Sequence, residues 1–214
     1  MRDNLVYLAV MVVAVAVLAC ASGAWADVIV YKGVGLNSEV KLHASGLLGD
    51  GLTVPAGQCR IEYQDRDYLS YCVDLDHYAG SGEVTEIPVG TLNRGNWVAF
   101  LFDTYSGTVD SGLEAAALGT AIWEVLYETD TDLDVTDGYF NITQNDAVAA
   151  AANDLLVNLP SDYTPAGGDV VLHSESRQDL LIGGFEPIPE PTTLALIALA
   201  SVVLLRRRTI RKRI

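Results

Sequence analysis

Apolar positions change their rhythm along this chain. Leu5–Leu18 (LVYLAVMVVAVAVL) is an unbroken apolar run preceded by Arg2, and Thr192–Leu205 (TTLALIALASVVLL) is a second. Between them the pattern is that of a folded domain. Asp27–Tyr31 (DVIVY), Glu39–His43 (EVKLH) and Tyr68–Leu75 (YLSYCVDL) set β-branched and aromatic residues between Gly, Asn and Ser punctuation, which predicts strands. Asn96–Tyr105 is a short apolar stretch that opens a helical middle. Ser111–Glu128 (SGLEAAALGTAIWEVLYE) places Leu113, Ala117, Ala121 and Val125 at helical intervals, with Asp110 or Ser111 as N-cap and Glu114 in the first turn. A second helix is predicted over Thr143–Leu159, capped by Thr143 or Asn145 and stopped by Pro160. Asp169–Ser174 and Asp179–Ile182 follow as strands. This order predicts an α+β fold over residues 27–186, a mainly antiparallel sheet with a small helical insert.

The terminal runs read as addressing segments and not as parts of that fold. Small residues follow the first run and end in Ala24-Trp25-Ala26. Side chains the size of Ala24 and Ala26 fit the shallow pockets of signal peptidase, which predicts a signal peptide at 1–26 and cleavage before Asp27. Val17-Leu18-Ala19-Cys20 is a looser lipoprotein box that would lipidate Cys20, but Leu18 is bulky for its place in one. At the other end stand, in order, Pro189-Glu190-Pro191, fourteen apolar residues and the basic cluster RRRTIRKR. A comfortable bilayer span takes ~20 residues. The basic cluster would hold the C-terminus on the cytoplasmic side, leaving residues 27–186 outside the cell membrane, anchored only transiently by the tail.

These three parts resemble the PEP-CTERM sorting tail of Gram-negative bacterial proteins. The resemblance covers residues 187–214. It implies that exosortase, a membrane protease-transferase, cuts near Pro189–Pro191 and that the domain is released or attached at the cell surface. The rival is a plain single-pass anchor behind a Pro-rich stalk. The tail fixes a destination and leaves activity open.

Removing both ends changes the charge. Residues 27–191 keep 6 of the 13 Lys/Arg and 27 of the 28 Asp/Glu, a net charge of −21. Such a surface repels nucleic acid and anionic membrane, so membrane contact falls to the terminal segments of the precursor. Surface polysaccharide, a matrix protein or a divalent cation fits better.

Candidate chemistry starts with cysteine. Once Cys20 has left with the signal peptide, Cys59 and Cys72 remain, with twelve residues between them. Both lie in strand-like surroundings, and an even pair in an oxidising compartment predicts a disulfide. Tyr71-Cys72-Val73-Asp74-Leu75 and Ala121-Ile122-Trp123-Glu124 together resemble the thioester domain of bacterial surface adhesins. That resemblance implies a strand Cys joined to a Gln two residues before the A-I-W motif, an electrophile that captures amines. The position is Gly119 here, which has no amide to give. Gln178 and Gln64 are the candidate substitutes, and nothing in the sequence places either beside Cys72. The reading that follows is a scaffold without its crosslink, with Cys72 free or paired to Cys59 and with Ile122 and Trp123 in the core. A covalent adhesin using Cys72 is the alternative.

The acidic loop ETDTDLDVTDGYF alternates Asp130, Asp132, Asp134 and Asp137, which reads first as a solvated loop and second as a source of several of the six to eight oxygens of a calcium site. It is not an EF-hand, because the positions that need Gly and Glu hold Val135 and Asn141. His43, His77 and His173 stand in no metalloprotease spacing, and no phosphate loop or G-x-S-x-G occurs. Cys72 and His77 differ by an odd number and would point to opposite faces of one continuous strand. The sequence therefore predicts no enzyme, but an exported surface or matrix protein with an adhesive or structural role.

Overall fold

The structure is a computed structural model that describes residues 27–47, 50–165 and 167–183. The expected signal peptide with Ala24 and Ala26, and the sorting tail with Pro189, Glu190 and Pro191, lie outside the described residues.

Among the described residues there are seven strands: β1 (Asp27–His43), β2 (Thr53–Tyr63), β3 (Arg66–Cys72), β4 (Gly82–Pro88), β5 (Asn141–Ile142), β6 (Val170–His173) and β7 (Leu180–Ile182). Every pairing is antiparallel, in the order β2-β3-β7-β6-β4-β1, and β1 pairs back onto β2. The six strands thus close into a ring, which removes the free edges an open sheet would expose. β5 extends the far end of β1.

β1 makes the closure. Asp27–Ile29 pair with β4, Ile29–Lys41 with β2, and Leu42–His43 with β5. The sequence suggested two separate strands here; the structure has one. Register shifts between Tyr31 and Gly33 and between Val34 and Asn37 absorb the irregular GVGLNS segment, with Gly33 at φ 105°.

Three helices follow β4: α1 (Gly95–Tyr105), α2 (Gly112–Tyr127) and α3 (Asp146–Leu156). Of the alternative caps, the structure uses Ser111 and Asn145. The Ser111 hydroxyl accepts from Glu114 N at 3.2 Å, and the Glu114 carboxylate accepts from Asp110 N at 2.9 Å. Asn145 caps α3 from a left-handed conformation, φ 78°, accepting from Val148 N at 3.4 Å. α2 was expected to bury one stripe, yet it is buried continuously from Ala115 to Val125, and Leu113 lies out at 40% exposure. It packs against β1, β2, α1 and α3 together. The run of Ala and Gly along it lets backbones approach from several sides, and a helix apolar all round is a buried helix. Ser111→Ala should cost about 1 kcal/mol, read as a lower urea midpoint with an unchanged slope.

Candidate functional site

The chain leaves the sheet at Cys72, and that corner gathers most of the residues singled out by chemistry. β3 ends there, so Val73–His77 turns away from the strand. Two side chains of α2 hold the turn: Trp123 Nε1 donates to the Cys72 carbonyl at 2.9 Å, and Leu75 N donates to the Tyr127 hydroxyl at 2.8 Å. Val73 N donates to Asp179 O at 3.0 Å, tying the corner to the approach to β7. Ile122 and Trp123 are core residues, 0% and 3% exposed.

Cys59 and Cys72 are both buried free thiols. Cys59 lies opposite Ser70, which places Cys72 on the same face but one diagonal step away. Diagonal neighbours stand about 7–8 Å apart, whereas a disulfide wants Cα atoms within about 4.4–6.8 Å. Burial, followed by the neighbouring Cys59 and Cys72 sulfurs, pushes the Tyr31 phenol up to about 12. Burial also raises the Cys59 thiol and pushes Cys72 well above its ordinary value. Buried protonated thiols are weak nucleophiles.

The Cys72 thiol donates to the Asp74 carbonyl oxygen at 2.8 Å. The same oxygen accepts from the Gln178 amide, also at 2.8 Å. Gln178, from the β6–β7 connection, is thus the glutamine that the fold brings to Cys72. Gln64 instead donates to Asp27 Oδ2 at 2.9 Å. His77 Nδ1 lies 2.7 Å from Asp74 Oδ2, and that carboxylate's hydrogen bond raises the imidazole. His173 pairs with Asp179 at 2.8 Å and His43 meets the Thr143 hydroxyl at 3.0 Å. The Cys72 thiol is engaged by Asp74 O and not by His77.

Gly119 has a packing role. A Cβ there would stand 3.0 Å from Gly57 N and 3.7 Å from Tyr71 Cδ1. Gly57 sits at φ 129°, and its own Cβ would come within 2.5 Å of Leu36 O. Helix α2 therefore crosses β2 glycine on glycine.

The acidic loop follows α2. Among the described residues no group of three or more Asp, Glu, His or Cys could hold a metal ion, so Asp130, Asp132, Asp134 and Asp137 do not converge. Asp134 is committed to Thr136 N, the Thr136 hydroxyl and Asn153 Nδ2, which hold its carboxyl below the usual range. Two buried glutamates of α2 and its C-cap organise the loop, a role the sequence did not disclose. Glu124 Oε1 accepts from Asp134 N at 2.9 Å; Glu128 accepts from the N–H groups of Thr129, Asp130 and Phe140.

The fold and its corner thus define an antiparallel barrel carrying three helices, with the Cys72 thiol buried beneath the corner. The comparisons add a terminal feature. Residues 187–212 match the PEP-CTERM protein-sorting motif. No curated protein matches the chain, and no solved structure does. The motif marks an exported protein that exosortase processes, with a transient C-terminal membrane anchor. Among the described residues no helix is long and apolar enough to cross a membrane.

Proposed function

We propose that this chain is a non-catalytic component of the cell surface or extracellular matrix, with an adhesive or structural role toward surface polysaccharide or another matrix protein. The sorting motif at 187–212 carries the reading, because it commits the domain to the cell exterior. The charge of residues 27–191 supports it: a net −21 keeps copies soluble and apart and favours cationic or hydrogen-bonding ligands over nucleic acid. The glycine at 119 supports the non-covalent form of the role. Signal peptidase and exosortase are the partners during maturation. The processing arm is tested by changing Pro189, Glu190 and Pro191 to alanine in a host that carries exosortase. The uncut chain should then accumulate in the membrane fraction; normal release of the mature domain would overturn the reading.

A covalent adhesin remains a second reading because one observation favours it: Cys72 and Gln178 share the Asp74 carbonyl oxygen. Attack of the thiol on the Gln178 amide carbon would form the S–C bond and release ammonia. The intact mass of the exported, processed protein separates the states. Unmodified mass with two alkylatable thiols after denaturation means free cysteines, and a deficit of about 2 Da a disulfide. A deficit of about 17 Da that small amines reverse, absent in Gln178→Ala, means a thioester and replaces the non-covalent reading.

A further inference from the structure

We propose that the exposed face of β1–β3 is a two-fold contact on which a second copy of this chain docks, so that copies concentrated outside the cell pair through it. The proposal goes beyond the role stated above and needs no particular matrix ligand.

The charge that holds copies apart is spread unevenly along the chain. Residues 27–72, which hold β1, β2 and β3, carry 4 Lys/Arg and 6 Asp/Glu, whereas residues 73–191 carry 2 and 21. The net charges are −2 and −19, so two copies repel least when they meet through the first three strands. The same strands carry much of the exposed apolar surface. Val28, Val30, Lys32, Val34 and Leu36, every second residue of β1, are all exposed, the four apolar ones at 40–56%. Leu69 of β3 is 54% exposed. Val30 pairs with Glu62 and Glu62 with Asp67, while Arg60 pairs with Leu69, which sets these residues in adjoining cross-strand rows. Apolar residues gathered on one exposed face and rimmed by polar ones mark an interaction surface.

The polar groups on this face select the partner. Lys32 Nζ is engaged by Glu62 Oε2 at 2.7 Å and by Asp67 Oδ1 at 2.5 Å. Among the described residues Arg60 makes no hydrogen bond or ion pair, and Glu62 Oε1 and Asp67 Oδ2 make none either. Arg60 lies opposite Leu69, one diagonal step of about 7–8 Å from Asp67. An uncommitted guanidinium and uncommitted carboxylate oxygens thus stand side by side on one face. A two-fold contact uses the same patch on both copies, so it sets the Arg60 of each against the carboxylates of the other. The guanidinium fork suits that pairing. A hollow of about 290 Å³ among Lys32, Arg60, Asp67 and Leu69 lies beside the exposed Leu69 side chain, a recess and a projection on one patch. A polysaccharide fits less well, because Tyr78 and Tyr139, exposed rings for a sugar to stack on, lie off these strands. The stretch Val28–Leu36 spans about 25–30 Å and three strands about 10 Å. That is a small interface of below about 1,200 Å², so the pairing is weak and appears at high concentration.

The test is sedimentation of the exported, processed chain at physiological salt, from about 1 μM to about 1 mM. The wild type should pass from monomer to dimer with a dissociation constant of roughly 10–100 μM. Val30→Glu and Leu69→Glu, both at exposed positions, should weaken it about tenfold or more, and Arg60→Glu should do the same by setting like charges face to face. Val157→Glu, at a position 80% exposed beyond α3, is the control and should leave pairing unchanged. Thermal melts of each variant confirm that the fold is intact. A wild type that stays monomeric throughout, or a dimer that survives both Val30→Glu and Leu69→Glu, overturns the proposal. A dimer that Arg60→Glu leaves intact overturns the ion-paired two-fold arrangement. A monomer that is retarded in a dextran gel, with the retardation lost in Val30→Glu and Leu69→Glu, gives the face to a glycan and overturns the pairing of copies.

Discussion

Gly119→Gln is expected to destabilise the domain by about 3 kcal/mol and to leave Cys72 an unlinked thiol. The Cβ alone would press on Gly57 N at 3.0 Å, and that neighbour is backbone. Gly57 cannot swing aside easily, because it holds φ 129° and has Leu36 O close to its own missing Cβ. Overpacking of this kind costs about 1–3 kcal/mol. The buried amide adds about 1–3 kcal/mol if its donors go unpaired. Replacing a helical glycine returns only about 1 kcal/mol. Gly119→Ala should therefore be far milder, its tight contact partly offset by the same helical gain. Gly57→Ala should be worse than Gly119→Ala, since its contact is closer and its φ is hostile to any side chain. Urea denaturation of the three variants ranks them, and intact mass reads the linkage. If Gly119→Gln matched the wild type in stability and lost about 17 Da, the glycine contact would not be structural and the covalent reading would take its place.

That glycine pair marks where the sequence stopped being legible. Local signals were read correctly where the cause is local. Ser111 and Glu114 announce the start of α2 because their side chains bond nearby backbone, and β6 and β7 stand out as short β-branched or leucine runs. β4 was missed because GEVTEIP buries only Val84; its place is fixed by pairing with β1 and β6 on either side. Ring closure was invisible for the same reason, since it depends on three residues of β1 meeting a strand more than fifty residues later. Near Cys72, Trp123 of α2 meets the Cys72 carbonyl across 51 residues of sequence. Gln178 reaches that corner from 104 residues beyond Asp74, a distance over which no sequence periodicity acts. The acidic loop is ordered by Glu124 and Glu128, hidden in and just beyond an apolar helix, which the run of alternating aspartates does not announce.

Those glutamates lead to the second large effect. The domain should be most stable in mildly acidic solution and lose stability as pH rises from about 4.5 to 8. Glu124 is 0% exposed, and its Oε2 has no hydrogen-bond partner. Burial pushes its carboxyl up to about 8; the charges of Glu128 and Asp134 add to this, while the Asp134 N–H and Arg94 oppose it. Asp169, just before β6, is raised to about 7 by burial and then by the hydrogen bond and charge of Asp103. An acid raised in the folded state holds a proton that the unfolded chain has already released. Its stabilising effect is fully present below the ordinary carboxylate range and is lost progressively as pH climbs to the raised values of about 7 and 8. Glu128 and Asp134 act in the other direction. Burial would raise Glu128, but backbone N–H bonds from Asp130, Phe140, Thr129 and Tyr139 outweigh it, and Thr136 and Asn153 lower Asp134. Their contribution is present above the ordinary carboxylate range and is lost as pH falls through the lowered values. The two sets bracket a maximum at about pH 4–5. Between pH 5.5 and 8.5, Glu124 alone should remove on the order of 3 kcal/mol. Urea melts at pH 5.5, 7 and 8.5 measure the slope, and Glu124→Gln assigns it: an amide that cannot ionise should flatten the alkaline limb while leaving the acid limb in place. A flat wild-type profile, or an alkaline limb that Glu124→Gln leaves unchanged, would show that Glu124 is already ionised in the folded state and that the loop is arranged around its charge.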